Sequence, residues 1–165
     1  MNNKEPGAKP VKIHGVVPGC TVRCQIIMKQ GLRIIGQRGH PEVRKCFIRL
    51  AAWLRKEYEF PVRLNVYLFP HHFITAKDGD DKCLGTVWCP DSHEEYPYIR
   101  IATGDYEGRK KEEGRDNALA GDIHMLCRLI IKYWQWLDTN DMWEKGVNRK
   151  ATKMLRLYER TTDHP

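Results

Sequence analysis

Apolar residues recur at helical spacing in three stretches of the chain. The first stretch predicts an amphipathic helix over residues 41–59. His40-Pro41-Glu42 favours a helix start there, because proline is tolerated in a first turn and an acid interacts well with a helix N-terminus. The inward face is predicted to consist of Val43, Phe47, Leu50, Ala51, Leu54 and Tyr58.

The second stretch, residues 117–137, is apolar around most of its circumference, which is typical of a helix buried between layers. Its few polar side chains form one row along the axis: His124, Arg128, Lys132 and Gln135. The third stretch predicts a helix over residues 147–160. Its outer face is predicted to carry a basic stripe of Arg149, Lys153, Arg156 and Arg160.

Three short runs read as strands, at residues 62–69, 84–88 and 98–102. Residues 24–28 and 32–35 have the spacing of a hairpin, and residues 76–81 that of a turn. The charged, glycine-punctuated segment 104–117 is predicted to be a solvated loop. These elements predict an α+β fold in which helices cover a small mixed or antiparallel sheet, with the last helix packed on the second.

The chain has 165 residues, enough for one domain. Residues 1–10 contain Pro6, Gly7 and Pro10 and are predicted to be a flexible arm, leaving residues 11–165 as a single domain. No apolar run is long enough to span a membrane, and the first residues do not resemble an export signal. The six cysteines are therefore expected to be reduced, and the protein to be cytoplasmic without a membrane partner.

The net charge of +7 is unevenly distributed. Residues 1–65 carry 13 basic and 4 acidic groups, residues 66–122 carry 7 and 12, and residues 123–165 carry 8 and 5. This polarity is compatible with an anionic partner, although an unevenly charged solvated surface would look the same.

The order of these elements resembles small phage and bacterial proteins of the minimal zincin type, the His-Glu-x-x-His zinc metallopeptidase-like group. The resemblance covers roughly residues 42–160 and depends most on Lys132-Tyr133-Trp134-Gln135-Trp136 near the end of the long helix. In that group the second zinc-binding histidine precedes a similar aromatic run. A glutamate early in the next helix completes the metal site.

The metal-binding residues of that group are missing from this chain. In the alignment that the resemblance implies, Arg128 and Lys132 stand for the two histidines and Leu129 for the general-base glutamate. The third-ligand region falls near Asn148. Arginine and lysine are protonated at neutral pH and do not ligate zinc, and leucine cannot activate a water. The resemblance therefore implies a metallopeptidase-like fold without catalytic residues, metal or cofactor.

Two cations on an apolar helix need acidic partners or access to solvent, because an unpaired buried charge is costly. One interpretation is an internal ion pair with Asp105, Glu107, Asp116 or another acid. The other is an anion- or ligand-binding cleft, for which the candidate residues are His124, Arg128, Lys132 and Asn148. The partner would then be a protein or an anionic ligand.

Two further alternatives remain open. A divergent hydrolase could have a relocated metal held by His124 and Cys127, completed by His71, His72 or Cys89. A nucleic-acid-binding protein could use the basic stripe of the last helix, together with Lys45 and Arg49, to contact phosphates. A catalytically inactive protein with a binding or structural role remains the principal prediction.

Overall fold

The computed structural model of the protein describes residues 29–36, 38–76, 79–92 and 94–161. Four strands form one sheet: β1 (Leu32–Ile35), β2 (Leu64–Phe69), β5 (Gly85–Trp88) and β6 (Tyr98–Ala102). A separate small hairpin consists of β3 (Ile74–Thr75) and β4 (Lys82–Cys83). The helices are α1 (Pro41–Glu57), α2 (Tyr106–Glu113), α3 (Arg115–Thr139) and α4 (Val147–Thr161).

The large sheet is mixed, with the strand order β1-β2-β6-β5. The β1–β2 and β2–β6 pairs are parallel, and the β5–β6 pair is antiparallel. Along β2 the side chains of Leu64, Val66 and Leu68 are buried while the residues between them are half-buried. This alternation places one face of the sheet against the helices. The predicted α+β class with a small mixed sheet is confirmed.

Helices α1 and α3 pack against the sheet and against each other, and α4 packs on α3. Helix α1 begins as its sequence predicts, with Pro41 in the first turn and His40 Nδ1 accepting the Glu42 amide at 3.2 Å. The basic stripe predicted on the outer face of α4 is exposed, because the buried residues of this helix are Val147, Ala151, Met154 and Tyr158 on its other face.

The prediction of a solvated loop over residues 104–117 was wrong, because residues 106–113 form α2 and α3 begins at Arg115. Tyr106 explains the difference, since its side chain is fully buried and its hydroxyl donates to Glu42 Oε2 at 2.5 Å. Arg115 Nε donates to the other oxygen of the same carboxylate at 3.2 Å. These hydrogen bonds, that of Tyr106 foremost, lower the pKa of Glu42 to about 2. Glu42 of α1 thus holds Tyr106 and Arg115 in place, although the charged segment between them has no apolar stripe of its own.

Some predicted elements lie partly or wholly outside the described residues. The arm at residues 1–10 and the strand at residues 24–28 are among them. The proposed partner of that strand, residues 32–35, is β1 and pairs in parallel with β2. The turn predicted over residues 76–81 lies between β3 and β4, where the Ala76 amide donates to the Asp81 carbonyl oxygen at 3.1 Å.

Within the described ranges, no helix combines the length and the apolar composition that crossing a membrane would require.

Candidate functional site

The polar row predicted on the second helix lies on α3 and faces α4 and the loop before it. His124, Arg128 and Lys132 are partly exposed, and Gln135 is buried. Gln135 Oε1 accepts a hydrogen bond from the Trp143 amide at 3.2 Å. Because Trp143 directly precedes Glu144, this bond holds the loop in a position from which the Glu144 side chain reaches Arg128 and Lys132.

Glu144 forms an ion pair with both cations of the row. Its Oε1 accepts a hydrogen bond from Lys132 Nζ, and its Oε2 lies 3.5 Å from Arg128 Nη2. The Lys132 and Arg128 side chains are 19% and 29% exposed, whereas that of Glu144 is 65% exposed. The hydrogen bond from Lys132, followed by the charges of the two cations, lowers the pKa of Glu144. One carboxylate therefore contacts two partly desolvated cations and neutralises one of their two charges.

His124, one turn before Arg128, contacts α4 directly. Its Nε2 lies 3.1 Å from Thr152 Oγ1, and Thr152 Oγ1 donates to the Asn148 carbonyl oxygen at 3.0 Å. Burial and the nearby Arg128 charge lower the pKa of His124. A neutral imidazole therefore links the two helices.

The structure accordingly places His124, Arg128 and Lys132 along one seam between α3 and α4 with its preceding loop, where Asn148 takes part through its main-chain carbonyl oxygen. The ion-pair interpretation is correct in kind, but its three named acids are wrong: Asp105 lies near His72, and Glu107 and Asp116 pair with His40 and Arg115. The partner is Glu144. The sequence held a signal for it, because Glu144 is the only acid between Asp141 and Glu159.

The alternative of a relocated metal finds little support in the geometry. Cys127 is fully buried and burial raises the pKa of its thiol to about 12, whereas His124 faces α4. A protonated thiol is a poor metal ligand. Burial also raises the pKa of Cys89 to about 12. In the described part of the chain, no three His, Cys, Asp or Glu side chains are grouped so that they could hold a metal ion.

No family model, curated protein or solved structure matches this chain.

A second polar site, which the sequence pattern did not reveal, surrounds Asp122 on a different face of α3. Asp122 Oδ1 accepts a hydrogen bond from Arg109 Nη2 at 2.5 Å, and its buried Oδ2 has no hydrogen-bond partner in the described ranges. The side chain is only 8% exposed. Asp122 and Arg109 line a cavity of about 360 Å³ whose walls include Phe73, Leu84, Ile101 and Met125. Asp122 is the only acid within residues 117–137, which was an available signal.

Because of the buried Asp122 carboxyl, we expect the free energy of unfolding to depend on pH. Burial raises its pKa from 3.8 to about 6 despite the Arg109 charge. The folded state then binds the proton more tightly than the unfolded state, so the free energy of unfolding falls as pH rises from about 4 to about 6. The full effect is at most about 3 kcal/mol, at about 1.4 kcal/mol for each unit of the shift.

Urea denaturation of the parent and of Asp122→Asn across this pH range measures the effect. We expect the difference in free energy of unfolding between the two proteins to change as pH rises from about 4 through about 6 and to be flat above about pH 7. Taking the difference removes the contribution of His124, whose lowered pKa acts in the opposite direction. A difference that does not vary with pH would show that Asp122 ionises normally.

Proposed function

We propose that this protein is a catalytically inactive, zincin-like protein that acts by binding a partner. The observation that supports the proposal is the ion pair of Glu144 with Arg128 and Lys132, at the α3–α4 seam where the resemblance implies a metal centre. At this seam charges of both signs are in contact and join α3 to the loop before α4, and two cations stand where zinc-binding histidines would be required.

Each residue of the seam has a structural task in this proposal. Arg128 and Lys132 attach the loop before α4 to α3 through Glu144, and His124 attaches α4 itself through Thr152. Leu129, in the position of the general-base glutamate, packs in the core beside Gly85 of β5. None of these groups is arranged to activate a water for attack on a peptide bond.

We also propose that the protein works in the bacterial or phage-infected cytoplasm. The cysteines for which the structure gives a state, Cys46, Cys83, Cys89 and Cys127, are all free thiols, and two of them are buried. Free thiols of this kind suit a reducing compartment.

Metal analysis of the purified full-length protein tests the proposal against a divergent hydrolase. After incubation with zinc and gel filtration, we expect far less than one zinc per chain, and no change in that content on His124→Ala or Cys127→Ala. Stoichiometric zinc that is lost in those two variants would refute the inactive-protein proposal and favour the relocated metal site. Circular dichroism of both variants establishes that any loss is not due to unfolding.

A further inference from the structure

The outer face of α4 is a row of cations without acidic partners. Arg149, Lys153, Arg156 and Arg160 are all exposed, and together with Thr152 and Leu157 they line a groove of about 590 Å³. None of the four side chains forms an ion pair or a hydrogen bond with a residue in the described ranges. Helix α4 contains five basic residues and one acid, Glu159.

This row is unfavourable for the helix that carries it. Its members are spaced at i, i+4, i+7 and i+11, so each neighbouring pair lies on the same face within one turn. Like charges at these spacings destabilise a helix, and the single acid of α4, Glu159, forms no ion pair with a member of the row in the described ranges. The packing of α4 on α3 uses the opposite face and does not require these cations.

The chemistry of the row identifies the class of partner. Four cations span about 16 Å along the axis, a distance over which one nucleic-acid strand presents about five phosphates at about 3.4 Å each. Of the large apolar residues on α4, only Leu157 is markedly exposed, so the outer face offers little to insert into a lipid surface. We propose that the α4 groove binds the phosphodiester backbone of a nucleic acid.

Helix α1 carries cations as well, but in a different setting. Arg44 Nε donates to the Gly36 carbonyl oxygen at 2.7 Å, and Arg55 Nη1 donates to the Leu32 carbonyl oxygen at 3.0 Å. The remaining exposed cations, Lys45, Arg49 and Lys56, share the helix with Glu42 and Glu57. Helix α1 therefore supplies a matched control for general charge, because three cations can be removed from either helix.

The test measures binding of the full-length protein to a short synthetic duplex of mixed sequence by fluorescence anisotropy across a salt series. Neutralising four phosphates gives a slope of log K against log salt of about −3.6 for a duplex and about −2.8 for a single strand. The variant Arg149→Gln/Lys153→Gln/Arg156→Gln should reduce the magnitude of the slope by about three units, roughly one for each cation removed. The control Lys45→Gln/Arg49→Gln/Lys56→Gln should leave the slope nearly unchanged.

A second measurement separates a binding role from a structural one. The α4 variant should have a melting temperature equal to or above that of the parent, because the repulsion within the row is relieved. Weaker binding together with unchanged or raised stability would support the proposal.

Several outcomes would overturn it. These are a flat salt response, an equal loss of slope in the α1 control, and a lower melting temperature of the α4 variant. Competition by polyglutamate as strong as by single-stranded DNA would indicate an acidic protein instead. Binding to anionic vesicles but not to nucleic acid would indicate a membrane surface.

The proposal rests on the proposed function only in that the protein acts by binding. Zinc content tests the inactive site, and the salt series tests α4, so either can fail while the other stands.

Discussion

Zinc should bind stoichiometrically when Arg128 and Lys132 are replaced by histidine and Leu129 by glutamate. The two histidines would lie one turn apart on the face of α3 that meets the loop before α4, at the i, i+4 spacing that zinc-binding helices use. Glu144 already contacts both side chains at these positions, so its carboxylate is available as the third ligand. Two histidines and a carboxylate are a ligand set that zinc sites of proteins use, so the zinc content should rise clearly above that of the parent.

Three variants make this prediction sharp. Arg128→His/Lys132→His retains the apolar Leu129 and keeps the test valid if a buried glutamate prevents folding. Arg128→His alone creates a histidine pair with His124 at the same spacing but one turn earlier, where Thr152 rather than Glu144 is the neighbour. Glu144→Gln, added to Arg128→His/Leu129→Glu/Lys132→His, removes the third ligand. Of these three variants, we expect metal analysis and isothermal titration calorimetry to show bound zinc only in Arg128→His/Lys132→His.

A folded double-histidine variant that binds no zinc would contradict the alignment from which the zincin resemblance is drawn. The resemblance would then be limited to the aromatic end of α3. The ion pair of Glu144 would still join α3 to the following loop, but it would no longer stand in the place of a metal site.

Trp136→Ala should destabilise the protein by about 3–5 kcal/mol, the usual cost of truncating a large buried aromatic residue. Trp136 is 2% exposed, and its indole Nε1 donates to the Pro90 carbonyl oxygen at 2.8 Å. It therefore ties the last turns of α3 to the connection between β5 and β6. The adjacent Gln135 holds the loop that carries Glu144, so this loss should also loosen the ion pair.

Urea denaturation monitored by circular dichroism measures this effect. Trp136→Phe keeps most of the volume but leaves the Pro90 carbonyl without its donor, and it should cost about 1–2 kcal/mol. Trp143→Ala is the matched control, because that side chain is 42% exposed and its loss should change stability by less than about 0.5 kcal/mol. Equal effects at positions 136 and 143 would show that Trp136 does not anchor the helix.

The two sites of α3 differ in how far the sequence could reveal them. Helical spacing alone placed His124, Arg128, Lys132 and Gln135 in one row, and that row exists. The shared partner of Arg128 and Lys132 is Glu144, which lies in a loop without periodicity, and no local rule sets where such a loop returns to the helix. Asp122 was missed for a similar reason, since its partner Arg109 belongs to a segment whose charge predicted a loop.

The sequence by itself determined what depends on neighbouring residues: the three helices with apolar residues at helical spacing, the strands of the mixed sheet, and the basic stripe of α4. These follow from periods of 3.6 and 2 residues, which are properties of the local backbone. Only the tertiary structure decided that residues 106–113 are helical, because the stabilising contacts of Tyr106 come from Glu42 on α1. It likewise decided that Arg128 and Lys132 are offset by an acid. Ion pairs between distant segments depend on where the packed core brings the chain, and that information is not contained in any short stretch of sequence.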